Sequence, residues 1–379
     1  MHSYARQNPI KSVVGSFALL AGLGLLVNLT MKTVLKDTNP SYTIMNVPHT
    51  ALEVYNKEDE MLWQLPDPDI KEFTENEKVG RIYHTNVSDL RGNGQNEVIT
   101  TLPLPNERNG GTKVLRVYGS DKSILFQNQF MGTKVDFLSS HYQSDFYFEG
   151  VLVNKFGEND EKEILTGADN GRSPWFLARF DAEGKLLGRF WHFGQMGRQY
   201  DVRLNGSSKR YVLLCGVNQI RDIEKDQFAV VEVIDPQKIV GDAEASATRG
   251  FGFDVSTAEL FYIRIPESDM ETTLGLTPAQ PILLSTDNEQ QIRIVTSRKA
   301  ADGELPCFEY VLSRDMHMQD VKFENQDIGI HAALKKAGKI SSIFDRIYLE
   351  KLKNGIRYWD GRSWKKEWTK VKHDLAPDQ

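Results

Sequence analysis

Two short stretches of the chain concentrate oxygen-bearing side chains in a loop between aliphatic residues. Residues 87–100 read VSDLRGNGQNEVIT, and residues 153–166 read VNKFGENDEKEILT. Carboxylate and amide oxygens in such loops can cap backbone amides in a turn or coordinate calcium. The first stretch therefore has three interpretations: a hairpin turn, a calcium loop, or one copy of a repeated unit.

Side chains that could carry catalysis are scattered. The eight histidines form no cluster in the sequence, and no HExxH, GxSxG, GxxxxGK[ST] or GxGxxG motif occurs in a fitting context. His192, in RFWHFG, is the histidine to inspect, and its aromatic neighbours favour packing over catalysis. We predict no catalytic residues.

The composition limits the class of partner. The chain has 379 residues, 40% of them hydrophobic and 26% charged, as in a folded globular protein. Its formal net charge of -6 argues against nucleic acid as the main partner, because duplex binding needs a clustered basic surface. The Lys- and Arg-rich stretch RSWKKEWTKVK, residues 362–372, is interpreted as a solvated strand edge.

Two cysteines give no metal or redox motif. Cys215 and Cys307 lie in apolar runs and no CxxC occurs, so neither a zinc site nor a thioredoxin-like site is indicated. Two buried thiols are the favoured interpretation, and a disulfide stays open if the domain faces an oxidising compartment.

The N-terminal region is typical of a membrane anchor. Residues 13–31, VVGSFALLAGLGLLVNLTM, carry no charge and would span about 28 Å as a helix, close to the bilayer core. The absence of a small-residue cleavage site disfavours a signal peptide. We predict a short cytoplasmic tail over 1–12, a transmembrane signal anchor over 13–31 and a linker over 32–50. The large domain would then face the extracytoplasmic (periplasmic) side of the inner membrane.

Small residues mark one face of that predicted helix. Gly15, Ala18 and Gly22 are spaced so that the helix could pack closely on another membrane helix.

From residue 51 onward the sequence alternates between short strands and turns. One form is a hairpin that usually ends on an aromatic residue, and the other is a strand, a polar loop and an aliphatic strand. Hairpins of the first form are predicted at 52–63, 115–126, 177–191, 230–240, 308–321 and 356–364. Copies of the second form are predicted at 87–100, 153–166, 202–214 and 284–296.

These two forms together make a repeat of about 50 to 65 residues built from four short strands, as in a β-propeller blade. Each blade would be apolar on both faces and would need neighbours to cover them. We therefore predict an all-β fold over 51–379, a β-propeller of about six blades, with five to seven allowed. An insertion is predicted over 241–280, and a two-sheet sandwich array is the alternative fold.

The stretch DLRGNGQNEV resembles the FG-GAP or VCBS repeat of integrin-α-like propellers. Segments such as RFDAEGKLLGRFWHFG and RYWDGRSW are similar to parts of bacterial ectodomains of this type, which are often tethered by one N-terminal helix. The resemblance implies a propeller that serves binding, adhesion or assembly, with calcium in its loops.

Carried onto this sequence, the family pattern gives Asp89, Asn93 and Glu97 as calcium ligands, with a backbone carbonyl from Gln95. Arg91 stands where the family has its second acid, and an Asx-capped turn without metal is the favoured interpretation of both loops. The corresponding residues of the second loop are Asn154, Glu158, Asp160 and Glu163.

The function expected from these features is a non-catalytic, membrane-anchored binding or assembly module. It would be an accessory subunit that contacts lipid through residues 13–31 and docks on another membrane or periplasmic protein. The alternatives are a hydrolase or lyase working in a propeller funnel, and a ligand-sensing ectodomain. A convergence of acids, His or Arg on the propeller axis would favour the enzyme.

Overall fold

The fold is known from a computed structural model. Described here are residues 20–23, 25, 37–45, 51–66, 85–103, 113–138, 140–156, 161–170, 173–220, 227–274, 281–285, 291–296, 299–300, 303–304, 308–323 and 325–373. These residues form mostly β-strands, arranged in several sheets.

Two antiparallel meanders begin the fold. In each one the strands follow one another in chain order, because short polar turns reverse the chain between alternating apolar segments. At the β2–β3 turn, the side-chain oxygen of Asn56 accepts the amides of Glu58 and Glu60 at 3.0 and 2.9 Å. Sheet 1 consists of β1 (Tyr42–Met45), β2 (Ala51–Tyr55) and β3 (Met61–Pro66), and sheet 2 of β4 (Thr85–Ser88), β5 (Glu97–Pro103), β6 (Lys113–Tyr118) and β7 (Ile124–Asn128).

Sheet 3 has seven strands and curls on itself. Its order is β17-β16-β12-β11-β10-β9-β8, with β16 and β17 added in parallel to a meander. The two ends approach each other where the Leu138 amide donates to the Gly250 carbonyl at 2.7 Å. Its strands are β8 (Phe130–Phe137), β9 (Ser140–Asn154), β10 (Glu163–Asp169), β11 (Trp175–Phe180), β12 (Leu186–His192), β16 (Gly241–Glu244) and β17 (Asp254–Val255).

The remaining described strands belong to sheet 4, to sheet 5 and to a two-stranded ribbon. Sheet 4 has the order β13-β14-β15-β18-β25-β26, and sheet 5 the order β19-β20-β23-β24. The strands are β13 (Arg198–Arg203), β14 (Arg210–Asn218), β15 (Phe228–Ile234), β18 (Glu259–Ile265), β19 (Pro281–Ser285), β20 (Gln291–Thr296), β23 (Phe308–Ser313), β24 (Met318–Lys322), β25 (Arg357–Trp359) and β26 (Trp364–Lys365), and the ribbon is β21 (Lys299–Ala300) with β22 (Gly303–Glu304).

Successive sheets share hydrophobic cores. Val98 packs between sheets 1 and 2, whereas its neighbour Ile99 packs between sheets 2 and 3. In the same way, Val230 faces sheet 3 and Val231 faces sheet 5. Consecutive side chains of a strand point to opposite faces, so these strands are covered by a core on each side. Their sequences are therefore continuous apolar runs. The prediction that each sheet needs neighbours on both faces is confirmed for sheets 2 to 4.

Among the described residues after position 51, three helices depart from the all-β prediction. They are α1 (Asp269–Thr273), α2 (Asn325–Lys336) and α3 (Arg346–Lys353). Within α2, the buried residues Asp327, His331 and Leu334 recur every three or four positions, which is the helical period. Strand prediction is wrong for these segments. The pair α2 and α3 packs over the core that sheets 4 and 5 share.

The predicted hairpins correspond closely to observed strand pairs. Those at 52–63, 115–126, 177–191, 308–321 and 356–364 are β2–β3, β6–β7, β11–β12, β23–β24 and β25–β26. The one at 230–240 is wrong, because β15 is followed by a 3-10 turn at Pro236–Lys238. The chain then leaves sheet 4 to supply β16 and β17 to sheet 3 and returns as β18. Sheet 4 is thus interrupted within the first half of the stretch predicted as an insertion, 241–280, whereas β18 in that stretch is a regular strand of sheet 4.

The N-terminal predictions fall largely outside the described residues. Residues 20–23 and 25 are helical, and Leu20, Leu23 and Leu25 are exposed. Among the residues described, no helix is long and apolar enough to cross a membrane. Gly15 and Ala18 lie outside the described part, and a Cβ added at Gly22 would meet no atom within 4 Å. The segment predicted as a linker, 32–50, contains strand β1.

Candidate functional site

The first polar loop joins β4 to β5 and is folded by its own side chains. The Asp89 carboxylate accepts the amides of Asn93 and Gly94, each at 2.9 Å. The Asn93 side-chain oxygen accepts the Gln95 amide at 2.9 Å. Gly92 and Gly94 adopt positive φ angles of 67° and 82°, which glycine tolerates without strain. The loop is a turn stabilised by Asx side chains, as the favoured interpretation expected.

Glu97 closes the loop from the start of β5. This residue is 1% exposed, and its two carboxylate oxygens accept the Leu90 amide at 2.8 Å and Arg91 Nε at 2.9 Å. Arg91 therefore neutralises Glu97. Hydrogen-bond donors point at the oxygens that calcium would need, so the residues of this loop do not form an oxygen cage.

The second polar loop joins β9 to β10, and its flanking residues are also engaged. Asn154 Nδ2 donates to Asp201 of β13 at 2.6 Å. Glu163 accepts two hydrogen bonds from the Arg179 guanidinium, at 2.8 and 2.6 Å. Glu158 and Asp160 lie outside the described residues. In the part of the chain that the structure describes, no group of three or more His, Cys, Asp and Glu is arranged to hold a metal ion.

The two polar loops lie side by side and form the walls of a cleft. Its volume is about 410 Å³, and it opens between the loop ends of sheets 2 and 3. The β11–β12 turn supplies a third wall. The lining residues are Asp89, Leu90, Arg91, Gly92, Lys155, Glu161, Lys162, Ala182 and Glu183.

Contacts between the sheets fix the cleft walls. Lys162 Nζ donates to Ser88 Oγ at 2.7 Å, which ties the second loop to β4. The Gly184 carbonyl accepts Asn128 Nδ2 at 2.9 Å, which ties the β11–β12 turn to β7. Of the nine described residues that line the cleft, six are charged, three of each sign. Such a surface can recognise a polar or zwitterionic partner by charge complementarity.

His192, which the sequence singled out, is a packed structural residue. It is fully buried, with Nδ1 3.2 Å from the Gly194 carbonyl and Nε2 2.9 Å from the Tyr262 hydroxyl. Asn218 Nδ2 donates to the same hydroxyl at 3.0 Å. Burial lowers the pKa of His192 to about 4, so the neutral ring donates through Nδ1 and accepts from Tyr262. Both ring nitrogens are used, which confirms the packing interpretation.

Sequence reasoning missed a pair of buried acids in sheet 4. Glu232 of β15 and Glu259 of β18 are both 0% exposed. The Ser246 amide donates to Glu259 Oε2 at 3.0 Å, and Ser246 Oγ donates to the same oxygen. Burial and the neighbouring Glu259 raise the pKa of Glu232 well above its usual range. Glu232 is therefore protonated and donates to Glu259. An acid in an apolar strand, FAVVEVI, is the sequence signal that could have identified it.

Cys215 is a buried free thiol on β14. Burial raises the pKa of this thiol, so it stays protonated. Cys307 lies outside the described residues.

Comparison with known proteins leaves the family open. No family model matches the sequence, and no curated protein matches it. Among solved structures, a protein of unknown function from Bacteroides caccae aligns with 74% of this chain and 92% of its own length, at 10% identity and a TM-score of 0.24.

Proposed function

We propose that this protein is a membrane-anchored, extracytoplasmic β-propeller that acts as a non-catalytic binding or assembly module. In this proposal the sheets form a ring of FG-GAP-like blades, and residues 13–31 hold it at the inner membrane. Support comes from the order of the sheets, because each packs on the next along the chain through a shared core. The module would serve as an accessory subunit of a membrane-associated complex.

The cleft between the first two polar loops carries the proposal of binding. The two polar loops of neighbouring sheets meet there with a third turn, and the described lining carries three positive and three negative side chains. Loops held by a rigid scaffold are common sites of recognition. A charged, concave surface built on fixed strands suits a polar segment of a partner protein, and tethering near the membrane would raise its effective concentration there.

Co-purification from mild-detergent extracts of membranes tests this function. Wild type is compared with Lys155→Glu, which reverses a charge in the cleft. The matched control is Lys238→Glu, another exposed lysine, which follows β15 away from the cleft lining. We expect the same partner with wild type and the control, and its loss with Lys155→Glu.

Two results would count against the proposal. Recovery of monomer alone from wild-type membranes would refute an assembly role. Equal recovery of the partner by all three proteins would show that the binding surface lies outside the cleft.

A further inference from the structure

Charge is distributed unevenly along the chain. Residues 322–373 contain 13 Lys and Arg against six Asp and Glu, although the whole chain has 46 against 52. This segment includes α2, α3, β25 and β26. The C-terminal part is therefore basic, whereas the remainder is acidic.

Exposed apolar side chains lie among these basic residues. Ile343 and Ile347 are 64% and 77% exposed, and Phe323 is 39% exposed. Phe323 and the half-buried Phe344 contact each other with ring centroids 4.9 Å apart. We name this surface the α2–α3 patch, and it comprises the apolar residues Phe323, Ile343, Phe344 and Ile347 with the exposed basic residues Lys322, Lys339, Arg346 and Lys351.

Helix α3 shows the amphipathic character of the patch. Ile347 and Lys351 are four residues apart and lie on one face, while Tyr348 and Leu352 are buried against the core. The region also carries acids. Asp320 and Glu350 are exposed, Glu324 stands between Lys322 and α2 in the sequence, and Asp345 caps α3 by accepting the Tyr348 amide at 2.9 Å. Lys322 is 3.8 Å from Glu309. Over residues 322–373 as a whole, the 13 Lys and Arg outnumber the six Asp and Glu.

We propose that the α2–α3 patch docks on an anionic lipid surface. Protruding isoleucines beside Lys and Arg suit the boundary of a bilayer, where aliphatic tips enter the acyl region and cations contact headgroups. The acidic remainder of the protein is repelled by such a surface, so this face turns towards it. The patch is separate from the loop cleft, and the inference stands whether or not the cleft binds a partner.

A fluorescent label in the patch tests lipid docking on the full-length chain. Ile347→Cys, in a Cys307→Ser background, is labelled with an environment-sensitive fluorophore. The protein is reconstituted in vesicles of phosphatidylcholine alone, or of phosphatidylcholine mixed with phosphatidylglycerol. We expect a blue shift of emission only with the anionic lipid, and its reversal by salt. The matched control is Val240→Cys, because Val240 is 71% exposed and lies outside the patch.

Charge removal supplies the second readout. Arg346→Gln and Lys351→Gln, each added to the labelled protein, should lower the equilibrium constant for embedding about five-fold. An unshifted label with anionic vesicles would overturn the proposal, and so would equal shifts in both lipids or at both label positions. A shift that requires added membrane proteins would assign the patch to a protein partner and overturn lipid docking.

Discussion

Glu232 and Glu259 lie where two negative charges would be strongly unfavourable. Both are fully buried between sheets 3 and 4, so the pair keeps a proton that solvent would remove from an ordinary glutamate. Ser246 donates both its amide and its hydroxyl to Glu259 Oε2. Since the native state binds this proton more tightly than the unfolded chain, the pair links stability to pH.

Glu232→Gln should stabilise the protein at pH 8 and leave it unchanged at pH 4. A raised native pKa gives stability that is full below the ordinary value of 4.5 and is lost as the pH rises through the native pKa. Glutamine keeps a donor towards Glu259 but does not titrate. In urea unfolding, the difference from wild type should grow by about 1.4 kcal/mol per pH unit above the ordinary pKa, up to the native pKa.

The exposed Glu183 provides the control, because Glu183→Gln should give no pH-dependent difference. A Glu232→Gln variant less stable than wild type at pH 8 would show that the carboxyl is ionised in the native state.

Turns and loops decide how the sheets meet. The β11–β12 turn packs on β7 because Gly184, with a φ of 84°, lets the backbone lie against the Phe126 ring. The β4–β5 loop is closed by Asp89 and Glu97, whose carboxylates accept backbone amides. The Gly184 turn and the β4–β5 loop are thus both shaped by backbone conformation and local hydrogen bonds.

Gly184→Ala should lower stability more than Gly206→Ala. Both glycines have positive φ, so both substitutions carry a backbone cost of about 1 kcal/mol. At Gly184 a Cβ would also lie 2.3 Å from the Phe126 ring, whereas at Gly206 it meets nothing within 4 Å. Urea unfolding measures the difference, and equal losses would show that the turn does not pack on β7.

Calcium should leave the melting temperature unchanged relative to EDTA. An ion that binds only the native state raises its stability by mass action. The Asp89 and Glu97 oxygens already accept hydrogen bonds, so we expect no such binding in this loop. Calorimetry with calcium and with EDTA makes the comparison. A calcium-dependent rise that disappears in Asp89→Asn would restore this loop as a calcium site.

At the scale of the whole molecule, sheet 3 is closed by aromatic packing. Phe137 stacks on Phe193 with centroids 3.8 Å apart and contacts Phe251 at 4.7 Å. Phe193 follows β12, whereas Phe251 lies between β16 and β17, more than 100 residues from Phe137. The contacts therefore join the β8–β9 hairpin to segments near the other end of the sheet. The curl of the sheet therefore depends on a few rings at its two ends.

Phe137→Ala should cost about 3 kcal/mol and loosen the β8–β9 hairpin. The ring is buried, and its loss leaves a cavity where the two ends of sheet 3 meet. Hydrogen exchange should show lower protection over residues 130–146, with sheet 4 unchanged. Phe323→Ala is the control, because Phe323 is 39% exposed and should cost much less. Unchanged hydrogen-exchange protection of the β8–β9 hairpin would show that the Phe137 ring does not hold the two ends of sheet 3 together.

Local patterns in the sequence predict many of the strands, most of the hairpins and the polar loops between them. Alternating apolar residues and turn-forming residues act over a few positions, so hairpins such as β6–β7 can be read locally. The two polar loops singled out in the sequence supply two walls of the cleft, through residues such as Asp89 and Lys155. The tertiary structure brings these loops together and adds β16 to sheet 3. It also brought Glu232 and Glu259 together and placed helices beside sheet 5. Those outcomes depend on contacts between distant segments, where burial and packing outweigh local preference.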